Sequence, residues 1–168
     1  MVEKRIGGWR AAPRRLAGLV RTAWPRRGLV AEACVTLVLV ETRLRLFPLK
    51  RQGMRDLVPA AGSPSVEPLA GERQFERQAA LDVGWAVSRV AAYFPDSVKC
   101  LAQALAARSM LRRRGIGSVM HVGVARSEAA RFEAHAWLEA AGVEVTGYPV
   151  PPHLREIGCL LSDGGRRR

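Results

Sequence analysis

The apolar positions of this chain change character about two thirds of the way along. Residues 28–47 read as one long helix that stops before Pro48, with Arg43 and Arg45 placed late, where they suit the helix dipole. Residues 73–94 form a second helical pattern, because Ala80, Val83, Val87, Val90 and Phe94 alternate spacings of three and four. Pro95 breaks it. "SVKCLAQALAARSMLRRRG" then predicts a third helix. Ser97 or Asp96 can cap its start, Ala and Leu fill its interior, arginines crowd its last turn and Gly115 follows. From there the pattern turns to strands, at 118–126, 132–140 and 143–150, the last two joined by Ala141-Gly142. A shorter basic helix is expected within 8–24, ending at Trp24-Pro25. Helices first, then a three-stranded antiparallel meander, is an α+β arrangement.

Between the helical patterns lies "VPAAGSPSVEPLAGE", residues 58–72, the clearest loop in the chain. It divides a basic N-terminal helical region, 1–57, from a core at 73–158, and a basic tail closes the chain at 159–168. No internal repeat occurs. A chain of 168 residues suits one domain with a core of ordinary size.

Charge adds an expectation about partners. The net charge is +12, from 27 basic and 15 acidic residues. Residues 1–55 hold 13 Lys and Arg against Glu3, Glu32 and Glu41, a net of +10. Arg112-Arg113-Arg114 and Arg166-Arg167-Arg168 add two further clusters. Such a balance attracts something acidic, although solvated faces and a frayed tail explain the clusters equally well. Aromatic residues are only 6% and do not interleave with the basic ones, so no nucleic-acid partner is expected.

Cys34, Cys100 and Cys159 are widely spaced, with no CxxC, which suggests neither a disulfide framework nor a zinc site. Reduced thiols in a cytoplasmic protein fit best. The N-terminus does not read as a signal peptide. "LVAEACVTLVLV" is too short to span a bilayer, which takes ~20 apolar residues, and reads as a buried helix. The arginines flanking it leave peripheral membrane contact open.

The chemistry-bearing candidates are Cys100 and His135. Cys100 falls in the first turn of the third helix, where backbone N–H groups carry positive partial charge. Lys99 adds to that field. Those N–H groups stabilise a thiolate and can contribute to an oxyanion hole. A small buried cysteine is the commoner use of such a residue. His135 lies mid-strand, 35 residues on. A cysteine at a helix start with a histidine on a strand packed across it is the layout of a cysteine nucleophile. His121 reads as a core or edge histidine, since no second ligand has metal-like spacing. Trp137 reads as core or site wall and His153 as surface. Cys34 and Cys159 read as structural thiols.

The stretch "CLAQALAARSMLRRRGI…VMHVGVAR…FEAHAWLEAAGVEV" resembles the transglutaminase-like cysteine peptidases of lasso-peptide biosynthesis, the leader peptidases often called B proteins. The shared pieces are Cys-Leu with Ala-Leu-Ala-Ala, Leu-x-Arg-Arg-Gly-Ile, a strand with Val-Gly-Val, and Ala-His-Ala-Trp-x-Glu-x-x-Gly. They run in register over residues 100–145, and the apolar, arginine-flanked helices ahead of them are also similar. The resemblance implies a papain/transglutaminase-like fold, with N-terminal helices and a catalytic cysteine at a helix N-terminus packed on a small antiparallel sheet. It implies removal of the leader from a ribosomally made precursor peptide, with Cys100 as nucleophile and His135 as proton carrier, and no cofactor or metal. A separate lasso cyclase then closes the macrolactam. Residues 1–60 read as helices and not as a strand-rich leader-binding module, so a separate leader-recognition protein is expected as a partner.

The family pattern also supplies an Asp about a dozen residues past the histidine, which here falls near Gly147. A two-residue turn at Ala141-Gly142 would set Ala140 against Val143, Glu139 against Glu144 and His135 against Tyr148. Glu139 and Glu144 are then ~13 Å along the strand from His135, and Glu133 ~7 Å. Thr146 and Tyr148 bring hydroxyls closer, a bulge would change the ranking, and Asp163 could fold back from the tail. The remaining arrangement is a Cys–His dyad held by a backbone carbonyl. Two other readings stay open: a transglutaminase-like acyl transferase, and a non-enzymatic basic module on nucleic acid or a membrane surface. The precursor, the cleavage-site residues and the oligomeric state are not encoded in any motif.

Overall fold

The computed structural model describes residues 26–46, 70–94, 100–126 and 132–162. Three helices, α1 (Arg27–Leu46), α2 (Ala70–Ala91) and α3 (Cys100–Arg113), precede four strands. These are β1 (Ser118–Arg126), β2 (Phe132–Ala140), β3 (Val143–Thr146) and β4 (Arg155–Ser162). They form one antiparallel sheet in the order β3-β2-β1-β4. The fold is α+β, as expected. The expected short helix within 8–24, most of the loop at 58–72, the caps Asp96 and Ser97, Lys99 and Asp163 lie outside the described residues.

Several boundaries need correction. α2 starts at Ala70, so the loop ends before residue 72. The third strand stops at Thr146 rather than running to 150. The meander gains a fourth strand, β4, whose end reaches Ser162 and claims part of what reads as a tail. Prolines just ahead of it and Gly158 within it weaken its strand pattern, but Ile157, Cys159 and Leu161 still alternate.

The helices cover one face of the sheet. Ala80, Val83, Val87 and Val90 of α2 are all buried, as their spacing requires. They meet Val30, Ala33 and Leu37 of α1, the buried alanines of α3 with Met110 and Leu111, and Met120, Ala136, Leu138, Ala140 and Val145 of the sheet. Each large side chain in that set stabilises the fold by about 1.5–3 kcal/mol. At Gly84 a Cβ would stand 2.4 Å from the Val145 carbonyl oxygen, so only glycine lets α2 lie so close to β3.

The end of α3 is closed by Gly115, at φ 73°. Its N–H donates to the Arg112 carbonyl at 3.1 Å, and the Ile116 N–H to the Leu111 carbonyl at 3.0 Å. Ile116 is buried with Leu111, completing a Schellman cap. A short connection, 114–117, then leads into β1.

Two of the three clustered arginines are structural. Arg113 Nε donates to Glu32 Oε1 at 2.9 Å and Arg114 Nη2 to Glu32 Oε2 at 2.5 Å, clamping α1 to the end of α3. Arg113 also reaches Thr36 Oγ1 at 2.9 Å. The hydrogen bond from Arg114, helped by that from Arg113, holds the Glu32 carboxyl below the ordinary glutamate range against the opposing effect of burial. A carboxylate with a lowered folded pKa contributes stability above its unfolded pKa and loses it as pH falls through the folded one. Urea melts at pH 6 and pH 3 are expected to show about 1 kcal/mol of acid-sensitive stability that Glu32→Gln lacks.

Among the described residues no helix is long and apolar enough to cross a membrane, and no group of three or more His, Cys, Asp or Glu is arranged to hold a metal ion.

Candidate active site

α3 begins at Cys100, so the thiol sits where the unpaired N–H groups of the helix collect. Cys100 is half-buried and packs against the helical core. Cys34 is half-buried too, and burial pushes its thiol up, which suits a structural residue. Cys159 is buried in β4 opposite His121. None of the three cysteines forms a disulfide.

His135 stands near the start of β2. The alternation of the strand sends Ala136 and Leu138 into the helical core and sends His135, Trp137 and Glu139 to the other face. Cys100 thus packs with the helices that cover one face of the sheet, and His135 lies on the other face. Among the described residues no hydrogen bond joins them.

The orienting partner of His135 is the main chain. His135 Nε2 donates to the carbonyl oxygen of Gly147 at 2.6 Å. A carbonyl can only accept, so Nε2 must carry the hydrogen, and in the neutral ring Nδ1 is left with the free lone pair. The ring also stacks on Trp137, with centroids 6.1 Å apart and planes 21° apart.

A bulge makes this contact. Ala140 pairs with Val143 and Glu139 with Glu144, as a two-residue turn requires, and Ala141 and Gly142 both take positive φ, at 49° and 69°. The register then shifts between Leu138 and Glu139, and Leu138 faces Thr146. The expected pairing of His135 with Tyr148 is therefore lost, and Gly147 comes beside Trp137. A Cβ on Gly147 would lie 2.5 Å from the Ala136 carbonyl oxygen and 2.8 Å from the Trp137 Cα. Its φ is 85°. Only glycine fits both constraints.

Neither Glu133 nor Glu139 reaches the His135 ring with a hydrogen bond. Glu139 accepts a hydrogen bond from the Tyr148 hydroxyl. Burial first, then Glu139, raises that phenol's pKa and keeps it protonated. Glu133 accepts from His153 Nε2 at 3.3 Å, and His153 is exposed as expected. Thr146 is buried and its hydroxyl has no partner.

A backbone carbonyl was among the arrangements the sequence left open for His135, but no side-chain signature marks Gly147 as its source. A histidine–carboxylate pair was not foreseen: the buried His121 donates Nδ1–H to Glu156 Oε1 at 2.7 Å and stacks on the opposite strand's Trp137 at 5.4 Å and 8°. Glu156 belongs to the strand that was not foreseen.

A protein-family model described as "Transglutaminase-like superfamily" matches residues 36–157. No curated protein and no solved structure matches the chain.

Proposed function

The chain belongs to the transglutaminase-like superfamily, and on that premise we propose that it is a cysteine peptidase that removes the leader from a lasso precursor peptide. Members of the superfamily are typically cysteine peptidases or acyltransferases. The observation that carries the reading is the His135–Gly147 hydrogen bond, which leaves Nδ1 available as a base. The reaction requires Cys100 and that nitrogen to come within hydrogen-bond reach in the substrate complex, because catalytic contacts tighten there.

His135 Nδ1 takes the Cys100 proton, and the thiolate attacks the scissile carbonyl. The N–H groups at the start of α3 steady the oxyanion. The imidazolium gives its proton to the leaving amine, and a thioester remains. Water, deprotonated by the same nitrogen, releases the acid and restores the thiol. The reaction is placed in the cytoplasm, where a thiol stays reduced. A separate leader-recognition protein delivers the precursor, and a separate cyclase takes the product.

The test is to incubate the full chain with a lasso precursor and its recognition protein and to weigh the products. Free leader and free core peptide are expected. An uncut precursor overturns the peptidase reading. Added dansylcadaverine resolves the acyl-transferase alternative, because covalent amine on the leader, with no hydrolysed leader, assigns transfer instead.

A further inference from the structure

The carboxylates of the sheet are not evenly placed. Glu133, Glu139, Glu144 and Glu156 account for all four of them, and register puts every one on the face that carries His135. This happens in a chain of net charge +12. An acidic cluster alone says little, but beneath this one lies an unsatisfied buried atom. His121 is only 8% exposed, and its Nε2 has no hydrogen-bond partner. The nearest carboxylate oxygen, Glu139 Oε2, stands 4.0 Å away, too far to bond. Because His121 gives its Nδ1 hydrogen to Glu156, Nε2 in the neutral ring is an acceptor. Nε2 and the Glu139 Oε2 are then two acceptors 4.0 Å apart, and a buried acceptor left unpaired is costly.

We propose that His121 Nε2 and Glu139 together bind a cationic nitrogen of the peptide substrate, the half-exposed Glu139 side chain moving aside to admit it. An ammonium would donate to both acceptors, with the Glu133, Glu144 and Glu156 carboxylates adding field from the same face. The position suits a residue near the scissile bond. Trp137 stacks on both histidines, so one indole separates this pair from His135, a span of a few residues of extended peptide. The identity of the ligand as substrate rests on the peptidase reading; the binding itself does not.

The test uses the full chain carrying Cys100→Ala, so that no turnover occurs, and follows the His121 ring by NMR. Three peptides are titrated: Ac-Ala-Lys-Ala-NH2, H-Ala-Nle-Ala-NH2 with a free α-amine, and Ac-Ala-Nle-Ala-NH2 with no cation. One of the first two is expected to shift the His121 resonances with at least about tenfold higher affinity than the third, and which one shows whether a side chain or a chain start is read. Adding Glu139→Gln should remove about tenfold of that advantage. Equal binding of all three peptides overturns the proposal, as does a cation preference that survives Glu139→Gln. If the Cys100→Ala chain binds the cationic peptide while the unaltered chain cuts no precursor, the peptidase reading falls and the subsite stands.

Discussion

Cys100→Ala is expected to abolish leader removal, lowering kcat by about 10⁴-fold or more while the fold and precursor binding persist. Alanine keeps the helix start and its N–H groups but removes the only atom that can form the thioester. Residual rate then comes from oxyanion stabilisation and positioning alone. The measurement is single-turnover cleavage of precursor in the presence of the recognition protein, with thermal unfolding as the control. The buried Cys159 and the α1 thiol Cys34 should not substitute, since neither starts a helix. If Cys100→Ala cuts as fast as the unaltered chain, the mechanism is wrong whatever the product.

The second large effect is less intuitive. Gly147 occupies the place where the family resemblance calls for an aspartate, so Gly147→Asp looks like a repair. It is expected to be the reverse. Any Cβ there meets the Ala136 carbonyl and the Trp137 backbone, and the φ of 85° adds its own strain. Left-handed strain of ~1–2 kcal/mol and overpacking of ~1–3 kcal/mol point to a loss of about 2–5 kcal/mol in urea unfolding. Relief of the clash moves the very carbonyl that holds His135. Gly147→Ala should therefore lose both stability and, by about 10²-fold, cleavage rate, as for a misplaced catalytic group. A Gly147→Asp chain that is as stable as the parent and faster would show that His135 is held by something other than that carbonyl.

How far the sequence could lead depended on the kind of signal each element carries. The buried stripe of α2, from Ala80 to Val90, is written in spacing, and the turn at Ala141-Gly142 sets its own register. The stop of α3 at Gly115 follows from capping chemistry. β4 was hidden because prolines precede it and Gly158 interrupts it, and Glu156 was lost with it. The bulge at Leu138–Glu139 has no composition cue, so the pairing of His135 could not be placed correctly. A main-chain acceptor is invisible to any search by residue type. The family resemblance pointed at position 147 for an acid, and the structure puts an acceptor at that position, supplied by the backbone instead.

The partner that holds His135 therefore has no proton to gain. An aspartate in that role is neutralised near its own pKa of roughly 4, and the ring loses its anchor in acid. A peptide carbonyl goes through no such change over the range in which a protein stays folded. The pH–rate profile of leader removal should therefore show no bend from the group that orients the ring. The orientation of His135 should persist when the solution is acidified.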